Sequence, residues 1–221
     1  MSDRAQRAEQ GTLTAPEAGV PAPEAGVPAP RDAAPPEGGP VQRVELSGGR
    51  AIVLRSHTCF ACGQLNTHGL RMALHVDDGT CWSEPVIDPR FNGWEGITHG
   101  GILCALLDEV MAWSLLDEDC WGFTARLAVD FVRPVAVGSR VRVEGHVVDR
   151  RRRVFRTEGR IVDPETGEPY ATAEAVYVDA PTERREEMKR RYEFRFEGGP
   201  APDRVPSSIV RSSVSAPGGE S

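Results

Sequence analysis

The residues best suited to chemistry stand at the head of an apolar segment. Asn92-Gly93-Trp94-Glu95-Gly96-Ile97-Thr98-His99-Gly100-Gly101 runs directly into ILCALLDEVMAWSLL at 102–116. That segment is too long and too apolar for a strand, and reads as a helix buried on nearly every face. A helix begins with N–H groups that have no intrahelical acceptor, and with the positive end of its macrodipole. Gly100 and Gly101 would let a ligand come close to those N–H groups. Such a start can stabilise a carbonyl oxygen that becomes an oxyanion. The plain alternative is a Thr98 or His99 cap, with the glycines there for packing.

Asp108 lies inside the same helix, with Cys104, Ala105, Met111 and Ala112 on its own face. A carboxylate among such residues is either buried at substantial cost or faces a cleft. Acids so placed are candidates for catalysis. Glu109 points about 100° away, so the two carboxylates cannot share one role. The alternative is an exposed stripe of Asp108, Glu109 and Asp117. Asp108 stands about 13 Å along the helix from His99, too far for both to meet one carbonyl.

Other side chains offer weaker chemistry. Cys59 and Cys62 have the spacing of a metal knuckle, but zinc needs four ligands. A set completed by His57 and His68 is formally possible; without a second CxxC the pair reads as structural, and no metal site is expected. A redox CxxC would need a thioredoxin-like βαβ setting, which the pattern lacks. Cys104 reads as a small core residue. Trp82, Trp94, Trp113 and Trp121 read as core or interface. The run at 150–153, four arginines, either meets the phosphates of a ligand or forms a solvated turn.

The elements that must position these groups follow from period and punctuation. Strands are expected at 43–55, 70–76 and 80–87, the last stopped by Asp88-Pro89. After the helix come strands at 122–137, 140–150, 153–163 and 169–179. DPETGE at 163–168 is hairpin chemistry, and a charged helix is expected at 182–192. Helices do not alternate with the later strands, which argues against a Rossmann unit. The economical answer is α+β: a curved antiparallel sheet wrapped around one long helix.

Composition sets the outer limits. The chain has 221 residues and a formal net charge of -7, so a general nucleic-acid binder is not expected. No apolar run approaches the length of a membrane span. Five cysteines and no secretory signal point to a reducing, cytoplasmic setting. Residues 1–41 carry two copies of APEAGVP, at 15–21 and 22–28, and lack aromatic residues. They read as a disordered arm, 42–196 as the folded domain, and 197–221 as a flexible tail.

Several of these residues together resemble the hotdog-fold acyl-CoA thioesterases of the phenylacetate-pathway (PaaI) type. They are His99-Gly100-Gly101 followed by Leu107-Asp108, and the strand TARLAVDFVRPV at 124–135. Gly138, Gly167, Tyr170-Ala171 and Ala173 fit the same pattern. So does the leader Cys59-Phe60-Ala61-Cys62-Gly63 with Asn66 and Gly69-Leu70. The resemblance covers about 57–180. It implies a homodimer or homotetramer joined through sheet edges. It also implies an acyl-CoA substrate, fatty or aromatic, and no separate cofactor. Asp108 would be nucleophile or general base, Gly100 and Gly101 the oxyanion donors, and His99 the loop's shaper. Relatives carry an Asn or Gln six residues before the His. Here that position is Gly93, so Asn92 is the candidate amide and Glu95 a substitute. Arg126, Arg133, Arg151 and Arg152 would meet the coenzyme A phosphates. The alternatives are a non-catalytic acyl-CoA binding module, a hydratase of the same fold, and a small zinc-binding interaction protein.

Overall fold

The computed structural model describes residues 40–118 and 120–198. All but the inner ends of the expected arm and tail lie outside these residues. The chain order is β1 (Val41–Leu46), β2 (Ala51–Arg55), β3 (His75–Asp77), β4 (Thr80–Ser83), α1 (Gly100–Ser114) and β5 (Gly122–Phe131). Then follow β6 (Arg142–Arg151), β7 (Val154–Val162), β8 (Pro169–Asp179), α2 (Thr182–Arg191) and β9 (Arg195–Glu197). Nine strands form one sheet in the order β5-β8-β7-β6-β4-β3-β1-β2-β9. Every pairing is antiparallel except β1 with β3, which is parallel. The sheet wraps α1, none of whose residues from 102 to 114 is exposed.

Three of the four later strands form where alternation places them; β5, expected over 122–137, stops at Phe131, because the Val132 and Arg133 N–H groups both turn onto Tyr170 O and Pro134 has no N–H to continue the ladder. DPETGE closes the β7–β8 connection: Asp163 Oδ1 accepts from the N–H groups of Glu165 (2.9 Å) and Thr166 (3.1 Å). Gly167 supplies the left-handed residue at φ 73°. Upstream, three strand expectations are corrected. Of 80–87, only Thr80–Ser83 is strand, because Pro85 has no N–H for the ladder, and Val86 makes only an isolated bridge to Arg140. The segment 43–55 is a hairpin, because Gly48 and Gly49 at φ 71° and 73° turn the chain between β1 and β2. Its alternation survives because Val44 and Ile52 pair on one buried face. Of 70–76, only His75 and Val76 join the ladder. Met72 and Leu74 are buried instead: the Met72 N–H donates to Ala61 O at 2.9 Å, and Leu74 O accepts from the Glu45 N–H at 3.2 Å. An alternating pattern reports a half-buried extended chain, whether or not a neighbour pairs with it.

How close α1 comes to the sheet is decided by one row of small residues. Cys81 pairs with Gly145, Gly145 with Gly159, and Gly159 with Ala173, across β4, β6, β7 and β8. Met111 of the helix rests on this row. A Cβ at Gly145 would lie 2.7 Å from Met111 Cγ and 2.9 Å from its backbone N. At Gly159 it would lie 3.0 Å from Met111 Cγ. Glycine normally weakens a strand; here it admits the helix.

Gly145→Ala should therefore destabilise the fold by about 1–3 kcal/mol despite alanine's better strand propensity. Thermal unfolding reads this directly, as a Tm lower by about 2–10 °C. An unchanged or raised Tm would show that the helix does not depend on this seat.

Candidate active site

His99 caps α1. Its backbone is extended (φ -60°, ψ 130°), and its Nδ1 accepts from the Gly101 N–H at 3.0 Å. Its own N–H donates to Phe91 O at 2.9 Å, which ties the helix start to the preceding loop. The Gly101 N–H is thus taken by the cap. The Gly100 N–H has no acceptor among the described residues. A Cβ at Gly100 would touch the Phe131 ring at 3.4 Å, so the end of β5 lies against this end of the helix.

The loop before the cap is held by Asn92. Its Oδ1 accepts from the Gly96 N–H at 2.9 Å, and Gly93 N–H donates to Ile97 O at 2.7 Å. Glu95 and Gly96 both have positive φ, 44° and 83°. Trp94, at the tip, is 85 % exposed. Asn92 Oδ1 therefore shapes the turn, and its Nδ2 donates to Gly93 O at 3.5 Å.

Asp108 is half-buried about two turns into α1. Its Oδ1 accepts from Thr124 Oγ1 at 2.8 Å. The Tyr177 hydroxyl lies 2.8 Å from the same Oδ1 and 2.9 Å from the Asp108 carbonyl oxygen, and shares its one proton between them. Thr124 and Tyr177 are direct cross-strand partners on β5 and β8. A bulge between Thr124 and Arg126 sets the local bend of β5. Burial first, and then the Asp108 charge, push the Tyr177 hydroxyl well above its ordinary range. It therefore stays a donor at every physiological pH. Asp108 Oδ2 takes no hydrogen bond from the described residues. It is the oxygen left for chemistry.

The arginines divide. Arg133 is engaged: Nε donates to Pro169 O at 3.0 Å, Nη1 meets Glu168 at 2.5 Å, and the guanidinium covers Tyr170 at 4.7 Å. Arg126 is exposed and has no partner among the described residues. Arg151 bonds Asp149 at 3.1 Å, and Arg152, at φ 56°, turns the β6–β7 hairpin. The rung Thr124–Tyr177–Phe155–Arg150 places that hairpin tip at the Asp108 end of the sheet. Two strand spacings, about 10 Å, separate Tyr177 from Arg150.

Thr124 and Tyr177 were not foreseen as Asp108's partners. The visible signal was a Tyr among the Ala and Val residues near the end of β8. Nor was Glu109 foreseen beside Cys59 and Cys62, where its Oε2 lies 3.9 Å from Cys59 Sγ. His68 is exposed and its ring stays apart from that cluster. Burial first, and then the Cys59 charge, push the Glu109 carboxyl up to about 7. A hydrogen bond from the Cys62 thiol, with amide donors from Cys62 and Ala61, pulls Cys59 down to about 5. Cys104 is half-buried, and burial pushes its thiol up, which fits a packing role. Trp82 stacks on His75 with ring centroids 4.2 Å apart, and Trp121 meets Phe194 edge-on.

Residues 95–170 match the model of the thioesterase superfamily. No protein of curated function matches the chain. Among solved structures, zebra fish thioesterase superfamily member 2 is 11% identical, with 54% of this chain and 90% of that one covered and a TM-score of 0.50. A further thioesterase superfamily protein is 24% identical, with 52% and 56% covered and a TM-score of 0.49. This chain thus spans little more than half of that protein. A phenylacetic acid degradation-related protein from Ralstonia eutropha JMP134 is 27% identical, with 49% of this chain and 85% of that one covered and a TM-score of 0.44. No described helix is long and apolar enough to cross a membrane. One helix gripped by a curved sheet, with the zebra fish likeness, makes this a hotdog fold.

Proposed function

We propose that this chain hydrolyses acyl-coenzyme A thioesters, fatty-acyl or aryl-acyl, in the manner of the PaaI type. The observation that carries the reading is Asp108. It is a helix carboxylate with one oxygen fixed by two hydroxyls and the other free. As general base, Oδ2 takes a proton from water while the water oxygen attacks the thioester carbonyl carbon. The carbonyl oxygen gathers the negative charge and is met by the Gly100 N–H at a helix N-terminus. Collapse of the tetrahedral adduct reforms the carbonyl and expels the coenzyme A thiolate. As nucleophile, Oδ2 attacks the carbon itself, the adduct expels the coenzyme A thiolate, and water opens the resulting anhydride to the free acid and the Asp108 carboxylate. Arg126 and Arg152, with Arg151 turned from its Asp149 partner, are the cations for the coenzyme A phosphates. Arg133 acts as a strap between β5 and β8.

Two copies complete the site in this proposal. Eight residues of helix, about 12 Å, separate Gly100 from Asp108. Strand β5 is the edge of the sheet, and it touches both groups: Phe131 lies at Gly100 and Thr124 at Asp108. Antiparallel pairing of two β5 edges would set the Gly100 of one chain beside the Asp108 of the other. Phe123, Phe131 and Val132, exposed at 41 %, 55 % and 54 %, favour covering that edge. Sedimentation should give a species of at least twice the chain's 24.0 kDa. A monomer at micromolar concentration would contradict the shared site.

Asp108→Asn should lower thiol release from a panel of short, long and aromatic acyl-CoAs by about 10²–10⁴-fold. Ligand-induced stabilisation without turnover by the unaltered chain would favour the binding module instead. Thr124→Val and Tyr177→Phe should each lower kcat by about tenfold, the worth of one hydrogen bond to a charged group. Gly100→Pro should lower kcat by about 10²–10³-fold. Proline is tolerated at the first helical position, and the extended His99 backbone suits it. Gly100→Pro with full activity would remove the oxyanion assignment.

A further inference from the structure

Outside the thioester site, one cluster of side chains has the construction of a cation site. The chain turns tightly at Cys59–Gly63: the Gly63 N–H donates to Cys59 O, and the Leu65 N–H to His57 O, both at 3.1 Å. Only glycine fits the turn, since a Cβ at Gly63 would lie 2.4 Å from Cys59 N and from His57 O. The turn brings the Ala61 and Cys62 amides onto the Cys59 sulfur. Across from it, α1 presents Glu109. Trp113 Nε1–H donates to Glu109 Oε1 at 2.7 Å, which leaves Oε2 facing the sulfurs. The ligand atoms of Cys59, Cys62 and Glu109 all lie within 4.8 Å of one another. His57 Nδ1 accepts from the Cys59 N–H at 3.3 Å, so the ring proton sits on Nε2, 3.9 Å from Cys62 Sγ.

We propose that Cys59, Cys62 and Glu109 bind a zinc ion, with a water in the fourth position and His57 Nε2–H donating to the Cys62 sulfur. Zinc bonds of about 2.3 Å to sulfur and 2.0 Å to oxygen give tetrahedral edges of about 3.4–3.8 Å. The Cys59 Sγ–Glu109 Oε2 edge is 3.9 Å and no edge exceeds 4.8 Å, so closure needs shifts of about 1 Å at most. Two thiolates select zinc over magnesium or calcium. No Lys or Arg reaches the three groups among the described residues, so a cation is the missing partner for their charge. Trp113 and His57 are the outer hydrogen bonds that such sites use to aim their ligands. The sequence alone pointed away from metal, because the third ligand lies fifty residues downstream. The ion would clip the 57–70 loop to α1 at the residue next to Asp108. Its role is structural, and it takes no part in hydrolysis.

The test uses the full chain, purified without oxidant. Elemental analysis should find about one zinc per chain. Co(II) in its place should give sulfur-to-metal charge-transfer absorption and intense tetrahedral d–d bands. Cys59→Ser and Glu109→Gln should each weaken Zn(II) binding at least tenfold. Glutamine keeps the acceptor for Trp113. Asp108→Asn should bind zinc as the unaltered chain does, which separates this site from the thioesterase reading. Protein that neither carries zinc nor takes up added Zn(II) overturns the proposal. So does a Cys59–Cys62 disulfide, or an affinity indifferent to either substitution.

Discussion

The seat of α1 on the glycines of β6 and β7 is the contact on which the rest depends. Gly145 and Gly159 remove two side chains from the middle of the sheet, and Met111 fills the space they leave. The helix backbone therefore lies close enough for Asp108 to meet the hydroxyls of the Thr124–Tyr177 rung at 2.8 Å. One methyl group more under Met111 would lift the carboxylate from both. Interiors pack too tightly to absorb that shift elsewhere. Placement of the carboxylate is thus decided by residues that carry no chemistry.

The two hydroxyls answer the cost of putting an acid in this helix. A half-buried carboxylate without donors is expensive. Thr124 and Tyr177 satisfy one oxygen and leave the other unused. The direction of the free oxygen is then fixed by the sheet, through β5. That strand is long, lies at the edge and carries exposed apolar side chains, an arrangement that soluble proteins normally cover. The same strand links the helix start at Phe131 with the carboxylate at Thr124.

Much of this was legible in the sequence, and the rest was hidden for physical reasons. The helix at 102–116 announced itself by length and apolarity, and formed two residues earlier because His99 caps it. Of the four long strands after it, three stood nearly where alternation set them, and β5 stopped at Phe131, short of the expected 137. The first half misled at 43–55, where two left-handed glycines interrupt an otherwise continuous pattern. It misled at 70–76, where burial without pairing mimics a strand. Asp108 stood out because its surroundings are local in sequence. Tyr177 and Glu109 did not, since each meets its partner through the register of the sheet or the seat of the helix. The Gly101 amide was a sound candidate donor until the His99 ring was seen to accept from it.

The central claim is that one chain's Asp108 works with another chain's Gly100. Mixing two inactive chains, Asp108→Asn and Gly100→Pro, after subunit exchange tests it most directly. Each mixed pair then holds one site with both groups altered and one with both intact. Thiol release should return to about one quarter of the unaltered rate in an equal mixture, because half the pairs are mixed and each has one working site. No recovery, with exchange demonstrated by mass, would contradict the account and place the whole reaction within one chain.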